Sequence, residues 1–331
     1  MPEVIDWLLE GDPSVRWQTE RDLLGAPSDR YTKEQKRVAS DGWGTALLKR
    51  QDRDGNWGGG IYGPKWISTT YTLLLLRQLG LPQDNAQARG GCENFFARGL
   101  ERDGGINLFK SFRHSETCVN GMLLGLLSYF RSQDPRIASV VQFLLDEQMP
   151  DGGWNCERVR GAHHGSFHTT ISVLEGLREF AAGLAGTSAQ LEAAVRAGHE
   201  FLWRHRLYRS HRTGRIVDPE MLRMHFPPQW HYDVIRALDY FQSVRAPRDP
   251  RMQGAIQLIE SRRTAGGKWN LNASWKGRVF FELEQTGQPS RWNTLRAMRI
   301  LNWWAQKPSP RSVRDEGAMR ASESSPKRTA R

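Results

Sequence analysis

Apolar residues along this chain recur at helical spacing, in segments of ten to fifteen residues separated by glycine-rich turns. Two kinds of segment alternate. The first kind, such as IASVVQFLLDEQ, is amphipathic and stops at a turn punctuated by Asp-Gly. The second kind is apolar over most of its circumference, which predicts burial on several sides. Its members are STTYTLLLLRQL, ETCVNGMLLGLLSYF, HTTISVLEGLREF, WHYDVIRALDYF and WNTLRAMRILNWW. The pattern predicts an all-α protein with inner helices starting near Ser68, Glu116, His168, His231 and Asn293.

The turns repeat as well. QDRDGNW sets Gln51, Gly55 and Trp57 in the spacing Q-x3-G-x-W. QMPDGGW repeats it with Gln148, Gly152 and Trp154, and RTAGGKW keeps it with Arg263, Gly267 and Trp269. Weaker copies end at Ile106 and Ile216, giving a period of about fifty residues. Trp and Gln at each turn are expected to pin one helix pair to the next. Outside the repeat, residues 1–40 read as a helical cap broken at Asp12-Pro13. Residues 41–305 read as the repeat domain, and 306–331 as a disordered basic tail rich in Ser, Pro and Arg.

Composition narrows the function classes. The formal net charge is +11 over 331 residues; from Lys307 onward seven Lys/Arg face three acids, which leaves about +7 for the body. That balance suits solubility or a phosphorylated small molecule; no nucleic-acid partner is expected. No apolar run is long enough to cross a bilayer, and the acidic start lacks a basic leader. Three scattered cysteines do not make a disulfide framework, so a cytoplasmic setting is expected.

The Q-x3-G-x-W turns resemble the QW repeats of squalene and oxidosqualene cyclases. The alternating helices are similar to the α/α-toroid that those terpenoid cyclases share with protein prenyltransferase β subunits. The resemblance covers roughly residues 40–305 and implies a toroid of about five helix pairs acting on an apolar or isoprenoid-like substrate. The acidic D-x-D-D run of the cyclases and the D-D-x-x-D run of the diphosphate ionisers are absent.

The prenyltransferase pattern fits further. KSFRHSETC aligns Lys110, Arg113, Glu116 and Cys118 with that family's basic-x2-basic-x2-acid-x-Cys, and SFHTTISVLEGL supplies His168. The resemblance implies a zinc ion on Glu116, Cys118 and His168, with Lys110 and Arg113 binding phosphate. A second protein subunit is a further partner that it implies. Such ligands suit tetrahedral zinc with one open position.

The residues leave other readings open. Cys118 fits equally as a small buried hydrophobe and His168 as a helix cap. Cys156, His163 and His164 form a rival metal set with Cys118 or His168. His231 and Asp233 fit a proton shuttle, or a capped helix start after Pro227-Pro228. Trp66, Trp230, Trp275 and Trp292 flank inner-helix starts, where they fit walls of an apolar cavity or packing between units. Two alternatives to the first reading therefore stand: a non-catalytic toroid binding a lipid, peptide or protein, and a cyclase with a non-standard acid.

Overall fold

The computed structural model describes residues 2–97, 99–109, 113–130 and 134–306. Lys110 and the expected tail from Lys307 onward lie outside them. The described chain is mostly helical, and its strands are two dipeptides, Trp269–Asn270 and Pro289–Ser290. The first three helices are α1 (Pro2–Leu9), α2 (Pro13–Asp22) and α3 (Ser28–Lys36). Asp12 is the N-cap of α2 and Pro13 its first residue, so the expected break lies where a proline's missing N–H is harmless.

Ten further helices come in pairs. The amphipathic members are α4 (Gly42–Leu48), α6 (Ala86–Phe96), α8 (Ile137–Asp146), α10 (Ala189–Arg204) and α12 (Gln253–Ser261). The partners are α5 (Thr69–Leu79), α7 (Thr117–Tyr129), α9 (Phe167–Ala182), α11 (Val234–Ser243) and α13 (Arg291–Ala305). Their N-caps are Ser68, Glu116, Ser166, Asp233 and Ser290, each within three residues of the expected start.

The three tryptophan turns make the same hydrogen bonds. Each indole Nε1 donates to a carbonyl near the end of the preceding amphipathic helix: Trp57 to Leu47 (2.8 Å), Trp154 to Leu144 (2.6 Å), Trp269 to Ile259 (2.7 Å). Each backbone N–H donates to a threonine hydroxyl in the first turns of the following helix. The acceptors are Thr69, Thr170 and Thr294, all at 3.0 Å. One tryptophan thus ties both helices of a pair. In the weaker copy, Asn120 replaces the threonine and brackets Ile106 through its amide oxygen and nitrogen.

The glutamines reach onward. Gln51 Nε2 donates to Gly55 O and Gln87 O, and Gln148 Nε2 to Gly152 O and Ala194 O, so each turn holds the next amphipathic helix. Arg263 stands over Trp269 at 5.5 Å instead. Gly152 has φ +89°, and a Cβ there would meet Ala197 O at 2.5 Å, so both conformation and space require glycine.

Neighbouring helices meet in the order α5–α7–α9 and α11–α13–α2–α4–α5. The Arg236–Glu175 ion pair joins α11 to α9. The closest approach is α7 on α9, where a Cβ on Gly121 would lie 2.7 Å from Val173 N and one on Gly176 2.4 Å from Gly121 O. The core is continuous, and Trp57, Trp154, Trp269 and Trp292 are among its largest fully buried side chains.

The Trp154 side chain fills a buried site and satisfies the Leu144 carbonyl, so Trp154→Ala is expected to cost about 3–5 kcal/mol. Thr170→Val orphans the Trp154 N–H and is expected to cost about 1–3 kcal/mol. Urea unfolding followed by circular dichroism reads both; a Trp154→Ala cost under 1 kcal/mol would contradict the pinning role.

Candidate functional site

Four aromatic rings stack where loops lead into α11 and α13. His225 lies on Trp275 (centroids 4.1 Å), Trp275 on His231 (3.5 Å) and His231 on Trp230 (3.7 Å). Trp66, entering α5, meets His231 edge-on at 5.7 Å. Its indole donates to the carbonyls of Trp275 and Lys276, and Gly277 leaves room for the ring. Lys65 Nζ stands 5.3–5.8 Å from the rings of Trp230, Trp66 and Tyr62. The cleft beside this stack has a volume of about 680 Å³ and is walled by Trp66, Trp230, His231 and Trp275. That size suits a small-molecule ligand.

Two histidines here, His168 and His231, are neutral at pH 7. Burial, with Arg236 nearby, lowers His168 to about 4. Burial, with His168 and His225 close, lowers His231 to about 3. His168 Nδ1 accepts the Tyr232 N–H at 2.8 Å, so the start of α9 is tied to that of α11. Asp233 is the N-cap of α11: its carboxylate accepts from Arg236 N (2.7 Å) and His225 N (3.3 Å) and is 1% exposed. Of the two readings open for Asp233, the cap is the one its hydrogen bonds describe.

Glu116, Cys118 and His168 each begin or precede an inner helix, yet they face different neighbours. The Cys118 thiol hydrogen-bonds Cys156, and the charges it feels are those of Cys156 and Glu116. Those at His168 are Arg236, Asp218 and Asp233. The Cys118–Cys156 hydrogen bond and burial push Cys118 up, while that bond and the Thr169 hydroxyl draw Cys156 down. Burial raises the Glu116 carboxyl. Among the described residues no three His, Cys, Asp or Glu side chains are grouped as metal ligands would be. With Nδ1 of His168 engaged and Cys118 paired to Cys156, this arrangement does not fit the zinc set. The rival pairing of Cys156 with Cys118 is present, whereas His163 and His164 are exposed. Arg113 is exposed as well. Trp292 stacks on Phe226 at 4.4 Å and lines a different cavity.

That second cavity, of about 1500 Å³, is the larger. Residues of α2, α5, α7, α9, α11 and α13 line it, mostly from the C-terminal halves of the inner helices. Its walls carry Arg77–Glu179 (2.6 Å), Arg236–Glu175 (2.8 Å) and Arg299–Asp22 (3.0 Å), and Arg178 shares Glu179 with Arg77. Burial alone would raise Glu179, but Arg77 and Arg178 bring it down to about 2. Burial works the same way on Glu175, and Arg236 with Arg77 more than offsets it.

None of these charged residues is singled out by the turn and mouth motifs. Their signal is charge inside otherwise apolar helices: Glu175, Arg178 and Glu179 in SVLEGLREF, Arg236 and Asp239 in VIRALDY, Arg296 and Arg299 in LRAMRIL. Each set recurs three or four residues apart and so shares one helix face.

The neutral histidines have a consequence for stability. The unfolded chain protonates them near the ordinary value of 6.5, but folded His168 does so only at about 4. Between those values the unfolded state binds more protons, so stability is full above pH 6.5 and falls as pH drops toward 4. The urea midpoint is expected to fall from pH 7 to pH 5. His168→Gln, which keeps an acceptor for the Tyr232 N–H, is expected to flatten that fall. An equally steep fall in the variant would contradict the assignment.

No family model matches this chain, and no curated protein matches it. Among solved structures, the chain is similar to a protein from Actinoplanes at 16% identity and a TM-score of 0.46, covering 89% of this chain and 91% of that one.

Proposed function

We propose that the chain is an α/α-toroid of the terpenoid cyclase and prenyltransferase type that binds an apolar, isoprenoid-like molecule in the aromatic cleft. The ring reading is supported by the order of helix contacts and by one cavity that takes lining residues from all five inner helices and α2. The recurring tryptophan turns support the repeat reading.

The observation that carries the ligand class is the four-ring stack with Trp66 edge-on to it. Its faces are flat, mostly apolar and rigid, because His231 is sandwiched and Trp66 is hydrogen-bonded to the opposite loop. Such walls favour an unsaturated hydrocarbon and fix its orientation.

Binding is favoured over proton-transfer chemistry in this cleft. Asp233, the acid of the non-standard cyclase reading, is occupied as a buried cap. His231, with a value of about 3, is a poor base at neutral pH.

The test is a fluorescence titration with farnesol and with farnesyl diphosphate. Farnesol is expected to quench tryptophan emission with a stoichiometry of one, and farnesyl diphosphate to compete with it. Trp230→Ala is expected to weaken binding about tenfold, roughly 1.4 kcal/mol. Unchanged affinity in Trp230→Ala and Trp275→Ala would sink the cleft as the site.

A further inference from the structure

We propose that the large charged cavity is a second ligand site, for a small organic anion carrying two or more negative charges. This goes beyond the aromatic cleft, shares no lining residue with it, and stands or falls separately.

The argument begins with the charge balance. Eight arginines and four carboxylates line the cavity. The carboxylates are shared: Glu179 serves Arg77 and Arg178, and Asp239 serves Arg296 and Arg299. Sharing orients the guanidiniums without neutralising them. Glu175, Glu179 and Asp22 are all held below their ordinary carboxyl values by these arginines, so they stay ionised and the excess is positive.

The donors are also incompletely used. Arg77 is 10% exposed at its side chain, and its Nε has no hydrogen-bond partner. Arg178 spends one amine on the Ser243 hydroxyl (2.7 Å) at the rim. Arginines brought in from separate helices around a low-dielectric space make a field that focuses on anions, and their planar forks match carboxylate and phosphate oxygens. Burying charge for stability alone is a poor bargain, because apolar packing of similar volume does as well or better. A ligand that bridges two helices explains why the arginines are there.

A multivalent anion is required by the geometry. Two of the acids already tie neighbouring walls, α5 with α9 through Glu179 and α13 with α2 through Asp22. The positive excess is therefore distributed over the walls. Two charges on one ligand engage two walls, whereas one charge reaches only one.

The test is isothermal titration of the full chain with citrate and with inorganic pyrophosphate, using acetate as a single-charge control. Binding of either multivalent anion at about one per chain, weakening with added salt, is expected; the two arms distinguish a carboxylate from a phosphate ligand. Arg178→Gln is expected to weaken binding about tenfold. Glu179→Gln is expected to tighten it, since it frees two arginines while leaving the volume unchanged. Arg196→Gln, at an exposed position of α10, is expected to leave binding as it was. Circular dichroism confirms that each variant is folded. If neither anion binds, or if Arg178→Gln and Arg196→Gln weaken binding equally, the proposal is overturned. Failure here leaves the farnesol titration untouched, and the converse also holds.

Discussion

The arrangement depends on how the last helix meets the first ones. Arg299 of α13 reaches Asp239 on α11 and, on its other side, Asp22 and Gln18 of α2. Helix α2 in turn donates Trp17 Nε1 to Leu79 O and Gln18 Nε2 to Gln78 O at the end of α5. A succession of helix pairs leaves an apolar flank at each end, and an exposed flank of that kind invites association or unfolding. Here α2 packs against both α13 and α4, and one buried guanidinium, that of Arg299, ties it to α13. Burial opposes the charge, but the paired carboxylates of Asp239 and Asp22 push the Arg299 pKa up regardless.

Two chemical environments lie at different places among these helices. At the N-terminal ends of these helices, stacked rings form one wall of the cleft, and Lys65, Glu220, Arg223 and Lys276 stand around it. Toward the C-terminal ends, arginines and ionised carboxylates surround the larger space. Helix dipoles would favour cations at the second end and anions at the first. The arginines therefore stand at the end where helix C-termini favour positive charge, and their full charges exceed the partial ones there.

Much of the fold was legible because it is written in local rules. The spacing of Gln148, Gly152 and Trp154 specifies a turn, a left-handed glycine and an indole anchor, all within seven residues. Helix starts were legible from Ser68 and Asp233, whose short polar side chains suit an N-cap. Helix α2 was harder. PSVRWQTERD shows no apolar face, so pattern alone reads it as a peripheral cap. Yet Ser14, Gln18, Thr19 and Glu20 are buried. Their burial depends on partners such as Gln78 and Arg299, far away in sequence, which no local pattern encodes. The candidate sites divide in the same way. Trp66, Trp230 and His231 were found because aromatics beside a helix start are conspicuous, and the fold brings them together. The arginine cavity was missed because single charges in apolar helices look like isolated exceptions until the helices surround a common space. Cys118 was matched by spacing to a metal motif, but its actual neighbour, Cys156, is set by the packing of α7 on α9.

Helices α13 and α2 meet and lock the last helix pair to the first helices. A double-mutant cycle between Asp22→Asn and Arg299→Gln, read by urea unfolding, tests it most directly. The two positions are 277 residues apart in sequence, so the unfolded chain offers no reason for them to interact. A coupling energy of about 0.5–3 kcal/mol is expected for groups in contact. Strict additivity of the two substitutions would contradict the account.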